Sequence, residues 1–328
     1  MKAPSLKAGV IGAGAWGTAL AQTLAADGRH VRLWALEPEV VAAVNGDRQN
    51  PLYLPHIPLS ASIEATGDMA AMADRDLLLI VSPAQHLRTV VAQAPAGTPL
   101  VLCSKGIEAG TSLLMSEVAM EAQPTSPIAV LSGPTFAHEV ARGLPTAITL
   151  ACADAALAAK IAGRIARPAF RPYLSDDVVG AEIGGAVKNV LAIACGVAEG
   201  AGLGLNARAS LISRGFAEMT RFGLARGARA ETLAGLSGLG DLVLTCSSTN
   251  SRNFSLGKGL GEGRAASDLL ANRRTIAEGA FTAPVLREAA RAAHVEMPVV
   301  EAVCALLEDA APLAQVMDAL LARPLRAE

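Results

Sequence analysis

This chain has little of several things, and each shortage excludes something. Charged residues fill only 18% of its 328 positions and hydrophobic ones fill 52%, so apolar material is ample and disorder is not expected. A formal net charge of -2 gives no general pull toward nucleic acid or anionic membrane. Any anion bound here must be held by a few well-placed groups. Cysteine is sparse: Cys103, Cys152, Cys195, Cys246 and Cys304 are scattered, odd in number, and form no CxxC pair. That argues against a disulfide framework or a zinc site, and no metal is expected; it suits buried thiols in a reducing compartment. Long apolar runs are missing too. Lys2 and Lys7 precede an uncharged stretch, Ala8 to Ala26, with the outline of a signal peptide, yet it carries Gly9, Gly12, Gly14, Gly17, Thr18, Gln22 and Thr23. Nothing else approaches the ~20 apolar residues of a membrane span, so a cytoplasmic protein is expected.

What is present has two textures. Short β-branched runs mark strands at Leu6–Ile11, His30–Leu36, Asp76–Val81, Pro99–Cys103, Ile128–Leu131, Thr146–Ala151 and Phe170–Leu174. Helical stretches such as Ala15–Ala26, Asp68–Ala73 and Asp154–Ala166 alternate with them. Strands that are apolar throughout, alternating with helices, indicate a parallel sheet covered on both faces. From about Val178 the strand signals stop. Val187, Leu191, Ala194 and Ala198 then fall at helical spacing, as do Val299, Val303, Leu306 and Leu307. The expected fold is α/β: a Rossmann-like, mostly parallel sheet domain over 1–182, followed by an all-α domain over 183–328.

The first strand runs into Gly12-Ala13-Gly14-Ala15-Trp16-Gly17, a GxGxxG at the opening of a helix. Gly12 permits the tight turn, Gly14 lets backbone approach a pyrophosphate, Gly17 lets helix and strand pack closely, and the helix N-terminus favours the anion. Glu37 lies about 20 residues beyond the loop, where a carboxylate can accept hydrogen bonds from an adenosine ribose and favour NAD over NADP. A solvated loop residue is the equal alternative, which leaves the cofactor open between NAD and NADP.

Among 28 basic residues only six are lysines. A lysine can lose its proton when desolvated and a guanidinium cannot, so lysine at a special position suggests proton chemistry. Lys105 follows a buried strand at its C-terminal end, where open α/β sheets bind ligands. Lys188 lies on an otherwise apolar helix, where it either snorkels to water or is held for chemistry. Asp241, among apolar neighbours, suggests a carboxylate with a specific partner. Ser132-Gly133-Pro134-Thr135-Phe136-Ala137 supplies amides and hydroxyls after another strand, and Ser251-Arg252-Asn253 offers a planar fork and donors suited to phosphate, with a surface ion pair the equal alternative for Arg252.

In order along the chain, these strings resemble the bacterial NAD(P)-dependent glycerol-3-phosphate dehydrogenase family. The resemblance runs from the Gly12–Gly17 loop through Lys105-Gly106, Gly133 to Ala137, Gly184 to Asn189, Asn206-Ala207-Arg208, Gly238 to Asp241 and Ser251 to Asn253, ending at Glu278-Gly279. It implies reversible reduction of dihydroxyacetone phosphate to sn-glycerol 3-phosphate, the backbone precursor of phospholipids. It implies that Lys188 transfers the proton, that Lys105 contacts substrate and cofactor, and that Asp241 lies beside the reacting bond. Gly133 and Thr135 would line the substrate site, with Ser251, Arg252 and Asn253 on the phosphate. Ala15, Trp16, Ala137, Arg252, Ile276 and Glu278 would contact the cofactor. One departure stands out: where the family often carries a basic or polar residue just after the second strand, this chain has Leu36, which cannot pair with a 2′-phosphate. The competing readings are another two-domain reductase, of hydroxyacid dehydrogenase or ketopantoate reductase type, and a non-enzymatic dinucleotide sensor. The apolar helical half makes a homodimer the expected assembly.

Overall fold

The computed structural model describes residues 7–271, 277–309 and 311–321. Leu6, the expected start of the first strand, and Lys2 lie outside them. The chain divides into two compact units: one runs to Lys105 and resumes over Leu113–Glu182, while the other takes Gly106–Ser112 and continues from Ile183.

The first unit contains β1 (Ala8–Ile11), β2 (Val31–Trp34), β3 (Ile63–Thr66), β4 (Leu77–Ile80), β5 (Leu100–Leu102), β6 (Ile128–Ser132), β7 (Thr146–Ala151) and β8 (Phe170–Ser175). They form one sheet in the order β3-β2-β1-β4-β5-β6-β7-β8. Every pairing is parallel except β6 with β7. Helices α1 (Ala15–Ala25), α2 (Pro38–Gly46), α3 (Leu87–Gln93), α4 (Met115–Ala122), α5 (Ala137–Ala141) and α6 (Ala155–Ile165) connect the strands.

Alternation along the central strands builds a core on each face, because successive side chains of a strand point to opposite sides. Val10, Leu77 and Leu79 pack with Leu20 and Leu24 of α1 and with Ile161 of α6. Ile11, Leu78 and Ile80 turn the other way, toward Leu87 and Val91 of α3 and Val118 of α4. The strand order reverses at β1 and β4, and a crevice at such a point is where open α/β sheets take ligands.

Three details depart from expectation. β3 was not anticipated: it is a four-residue edge strand, Ile-Glu-Ala-Thr, with too few apolar residues to stand out. Asp68–Ala73 is not an α-helix but a 3-10 turn over Met69–Asp74, started by Asp68, whose carboxylate accepts the Ala70 N–H. β8 is not apolar throughout, since it lies at the sheet's edge and leaves Tyr173 and Leu174 half exposed.

The division between units falls inside α7 (Val178–Gly200). After it come α8 (Gly204–Ala225), α9 (Ala230–Leu233), a π-type turn over Leu236–Gly240, α10 (Asp241–Cys246), α11 (Arg252–Gly261), α12 (Ala266–Leu270), α13 (Glu278–Ala292), α14 (Pro298–Leu307) and α15 (Leu313–Leu321). Contrary to expectation, one helix among the described residues, α7, is long and apolar enough to cross a membrane, but 83% of its most apolar window is buried inside the protein. That is the pattern of a core helix.

Candidate active site

In the first unit the glycine loop leaves β1 and enters α1. Gly12 adopts φ 110°, a left-handed conformation, and a β-carbon there would stand 2.7 Å from the Val81 carbonyl oxygen. A β-carbon on Gly17 would lie 1.8 Å from the Gly12 carbonyl oxygen, so only glycine lets the helix start this close to the strand. Gly14 is the opposite case: a side chain there would meet nothing within 4 Å. The space beside it faces the first turn of α1, which has no acidic residue and no side-chain cap. Unused amides with open space before them are what a pyrophosphate requires. A dinucleotide therefore fits this loop.

Asn50, fully buried, braces the loop from behind. Its Nδ2 donates to the Ala13 carbonyl oxygen at 2.8 Å and to Thr18 Oγ1 at 2.8 Å. Ala15 and Trp16, at the start of α1, are half-buried.

Further along the same sheet edge, the chain after β5 is anchored by Ser104, whose hydroxyl donates to the Ser82 carbonyl oxygen at 2.5 Å. Lys105 follows, half-buried, and its Nζ donates to the Gly133 carbonyl oxygen at 3.3 Å. Thr135 Oγ1 donates to that same oxygen at 3.3 Å. Thus Lys105, Gly133 and Thr135, named separately from sequence, meet at one carbonyl. Gly133 itself presses on β7, where a β-carbon would come 3.1 Å from Ile148 Cα. Ala137 opens α5 close by in the chain. Behind this edge, burial pushes the Cys103 thiol up to about 12, against a smaller opposing pull from Lys105, so that thiol stays protonated.

In the second unit Lys188 is 6% exposed and does not snorkel to water. Its Nζ donates to Asp241 Oδ1 at 2.5 Å and to Thr245 Oγ1 at 3.0 Å. Asp241 has no solvent exposure. Thr245 in turn donates to the Asp241 backbone carbonyl at 2.6 Å. The closeness of α7 and α10 has a local cause. Gly184 lies one helical turn before Lys188, and a β-carbon there would stand 2.3 Å from the Ser237 carbonyl oxygen in the π-type turn. That turn leads directly into Asp241, so the approach at Gly184 delivers the carboxylate to the lysine. Single π turns of this kind often mark functional sites.

Two thiols stand behind the ion pair. Cys195, on α7, hydrogen-bonds with Cys246, and this contact together with burial pushes the Cys246 thiol well above its ordinary range. Both are fully buried, and Cys246 keeps its proton, so it brings no rival charge to the pair.

The triplet expected to meet the phosphate opens α11, and its three residues fare differently. Ser251 caps the helix, its Oγ accepting the Phe254 N–H at 3.2 Å. Asn253 is buried and internally engaged: its Nδ2 donates to Asn189 Oδ1 at 3.0 Å, and its Oδ1 accepts the Gly279 N–H at 2.9 Å. Arg252 is the exposed member. Glu278, half-buried, is the first residue of α13, and Ile276 lies outside the described residues.

Sequence reasoning missed two residues of this cluster. Thr245 carried a usable signal, since it lies four residues after Asp241 and therefore on the same helical face. Asn189 carried none, because its partner Asn253 is 64 residues away.

Comparison with known proteins covers almost the whole chain. Residues 7–158 match the model described as "NAD-dependent glycerol-3-phosphate dehydrogenase N-terminus", and residues 177–318 match its C-terminal counterpart. A "Glycerol-3-phosphate dehydrogenase [NAD(P)+] 1" from Sphingopyxis alaskensis is 65% identical over 321 residues, covering 98% of this chain and 97% of that protein. The crystal structure of a glycerol-3-phosphate dehydrogenase from Coxiella burnetii superimposes with a TM-score of 0.93 at 38% identity, covering 97% of this chain and 99% of that one. A ketopantoate reductase family protein from Ralstonia eutropha reaches a TM-score of 0.63 at 15% identity, over 96% of this chain and all of its own, a likeness of fold alone.

Proposed function

We propose, for a chain that belongs to the NAD-dependent glycerol-3-phosphate dehydrogenase family, that Lys188 moves the proton of the reaction. The enzyme is an NAD(P)-dependent glycerol-3-phosphate dehydrogenase, an oxidoreductase that interconverts dihydroxyacetone phosphate and sn-glycerol 3-phosphate and supplies glycerophospholipid synthesis. The reduced nicotinamide, when bound, supplies hydride to the carbonyl carbon.

The protein's own residues do the rest. Lys188 donates a proton from Nζ to the carbonyl oxygen as negative charge develops there, and accepts it back in the oxidation direction. Asp241 and Thr245 fix that nitrogen in place. Arg252 grips the phosphate with its guanidinium, and Ser251 and Asn253 shape the helix start that presents it. Lys105, Gly133 and Thr135 bind substrate, and Lys105 also meets the cofactor. Gly12, Gly14, Ala15, Trp16, Gly17, Ala137, Arg252, Ile276 and Glu278 complete the cofactor contacts.

The observation that carries this reading is the buried ammonium of Lys188 between Asp241 and Thr245. Burying an ion pair costs several kcal/mol per ion, and a merely structural contact would be filled as well by apolar groups. The test is absorbance at the reduced-nicotinamide band, with dihydroxyacetone phosphate set against unphosphorylated 2-keto acids. Rapid oxidation is expected with the phosphorylated ketone alone; turnover confined to the keto acids would overturn the reading.

The working form is a cytoplasmic homodimer in this account. Supporting it, the second unit exposes Leu205 at 67%, Phe281 at 55% and Val243 at 45%, apolar surface that a second copy would cover. Light scattering should give twice the 33.4 kDa of one chain; a single-chain mass at micromolar concentration would exclude the dimer.

A further inference from the structure

Within the NAD(P) chemistry just described, on which this inference rests, we infer that the Glu37–Tyr53 pair makes the enzyme select NAD(H) over NADP(H). In this fold class an acidic side chain at the end of the second strand accepts hydrogen bonds from the adenosine 2′-hydroxyl, while a basic one accommodates a 2′-phosphate. The end of β2 lies against the glycine loop, because the Gly12 N–H donates to the Trp34 carbonyl oxygen at 3.1 Å. Whatever stands just past Trp34 is therefore next to the dinucleotide loop.

Leu36 and Glu37 stand there. Leu36 is 73% exposed and offers a phosphate nothing. Glu37 is the N-cap of α2, but its carboxylate makes no capping bond to its own helix. Instead Oε1 accepts the Tyr53 hydroxyl at 2.7 Å. A glutamate in a loop would otherwise sample several rotamers, and the tyrosine removes that freedom at one oxygen. Tyr53 is in turn tied to the loop's brace, its N–H donating to Asn50 Oδ1 at 3.2 Å, while Asn50 holds the Ala13 carbonyl. One short segment, Asn50 to Tyr53, thus fixes both the turn for the pyrophosphate and the carboxylate for the ribose.

The chain just past β2 supplies no counter-charge for a 2′-phosphate. From Leu33 to Gly46 the chain has Glu37 and Glu39 and no lysine, arginine or histidine. Asp68 adds a third carboxylate just beyond β3, the neighbour of β2. The adjacent arginines are committed: Arg32 to the Ala71 carbonyl, Asp74 and Glu64, and Arg48 to the Ile63 carbonyl. Pro38, at the start of α2, also removes one amide that could have met a phosphate. A 2′-phosphate would bring about -2 charge to this acidic edge, and like charges so placed are strongly disfavoured.

The test is fluorescence titration of the protein with NADH and NADPH separately, which reads binding without turnover. The wild type should bind NADH at least about tenfold more tightly. Glu37→Gln removes the charge at constant shape, and should tighten NADPH about tenfold while changing NADH by about threefold or less. Tyr53→Phe frees the carboxylate and should weaken NADH about threefold, with NADPH unchanged. The KM for dihydroxyacetone phosphate at saturating NADH should not move in either variant, as a general structural defect would make it do. Equal or tighter NADPH binding by the wild type, an unchanged ratio in Glu37→Gln, or no binding of either cofactor would each overturn the proposal. Selective NADH binding without turnover of any ketone would instead leave it standing and count against the reaction assigned above.

Discussion

At the residue scale, Lys188 and Asp241 form a buried ion pair with almost no solvent contact, and such pairs behave asymmetrically. Removing one partner strands a charge in a low-dielectric interior and costs about 3–5 kcal/mol, whereas replacing both by apolar groups is often neutral. Asp241→Leu alone should therefore destabilise the fold by about that amount in urea denaturation, and Lys188→Met with Asp241→Leu should recover most of the loss. A double variant no more stable than the single one would show that the pair is not the source of the cost. The sequence marked both residues as odd, a lysine and an aspartate among apolar neighbours. It could not pair them, because 53 positions of chain separate them and only the fold brings them together. The same limit hid the amide contact of Asn189 with Asn253.

At the scale of elements, α7 and α11 meet backbone to backbone. A β-carbon on Gly257 would stand 2.0 Å from the Ile193 carbonyl oxygen, and one on Gly196 would stand 2.1 Å from that of Phe254. This contact fixes the distance between the helix that carries Lys188 and the helix that begins with Arg252. Gly257→Ala cannot be absorbed by a flexible side chain, and should cost about 1–3 kcal/mol. Gly163, inside α6, is a contrasting site where a β-carbon meets nothing within 4 Å. Gly163→Ala should stabilise by about 0.5–1 kcal/mol through helix propensity. Thermal melts of the two variants should move in opposite directions; a shared direction would contradict the packing account. Glycine's role here was not readable from spacing, since the sequence shows where glycines are but not which face meets another backbone. The strands were more legible. β4, Leu-Leu-Leu-Ile, announces itself because both faces of a central parallel strand are buried, whereas β3, at the edge with Glu64 exposed, does not.

For the whole molecule, two buried thiols, Cys103 and Cys304, give stability a pH dependence. Burial raises Cys103 to about 12 and Cys304 to about 11, against an ordinary thiol value near 9.0. Below about pH 9 both folded and unfolded chains keep these protons, and the thiols' contribution is fully present. Above it the unfolded chain releases protons that the folded chain retains, so stability falls until the folded thiols also ionise. Urea midpoints should therefore drop between pH 8 and 10.5, and Cys304→Ala should flatten part of that slope. A slope indifferent to Cys304 would assign the effect elsewhere. The end of the strand signals near Val178 in the sequence corresponds to the last strand, β8, and the start of α7. The excursion of Gly106–Ser112 into the second unit was not visible there, since seven residues are too few to show a period. Turnover also belongs to this scale, and it tests the proposed role of Lys188 most directly. The decisive measurement is the rate of reduced-nicotinamide oxidation in a single turnover by Lys188→Ala, with cofactor bound beforehand and dihydroxyacetone phosphate saturating. This account predicts a loss of at least about 10²-fold with cofactor affinity unchanged, and a rate close to that of the wild type would contradict it.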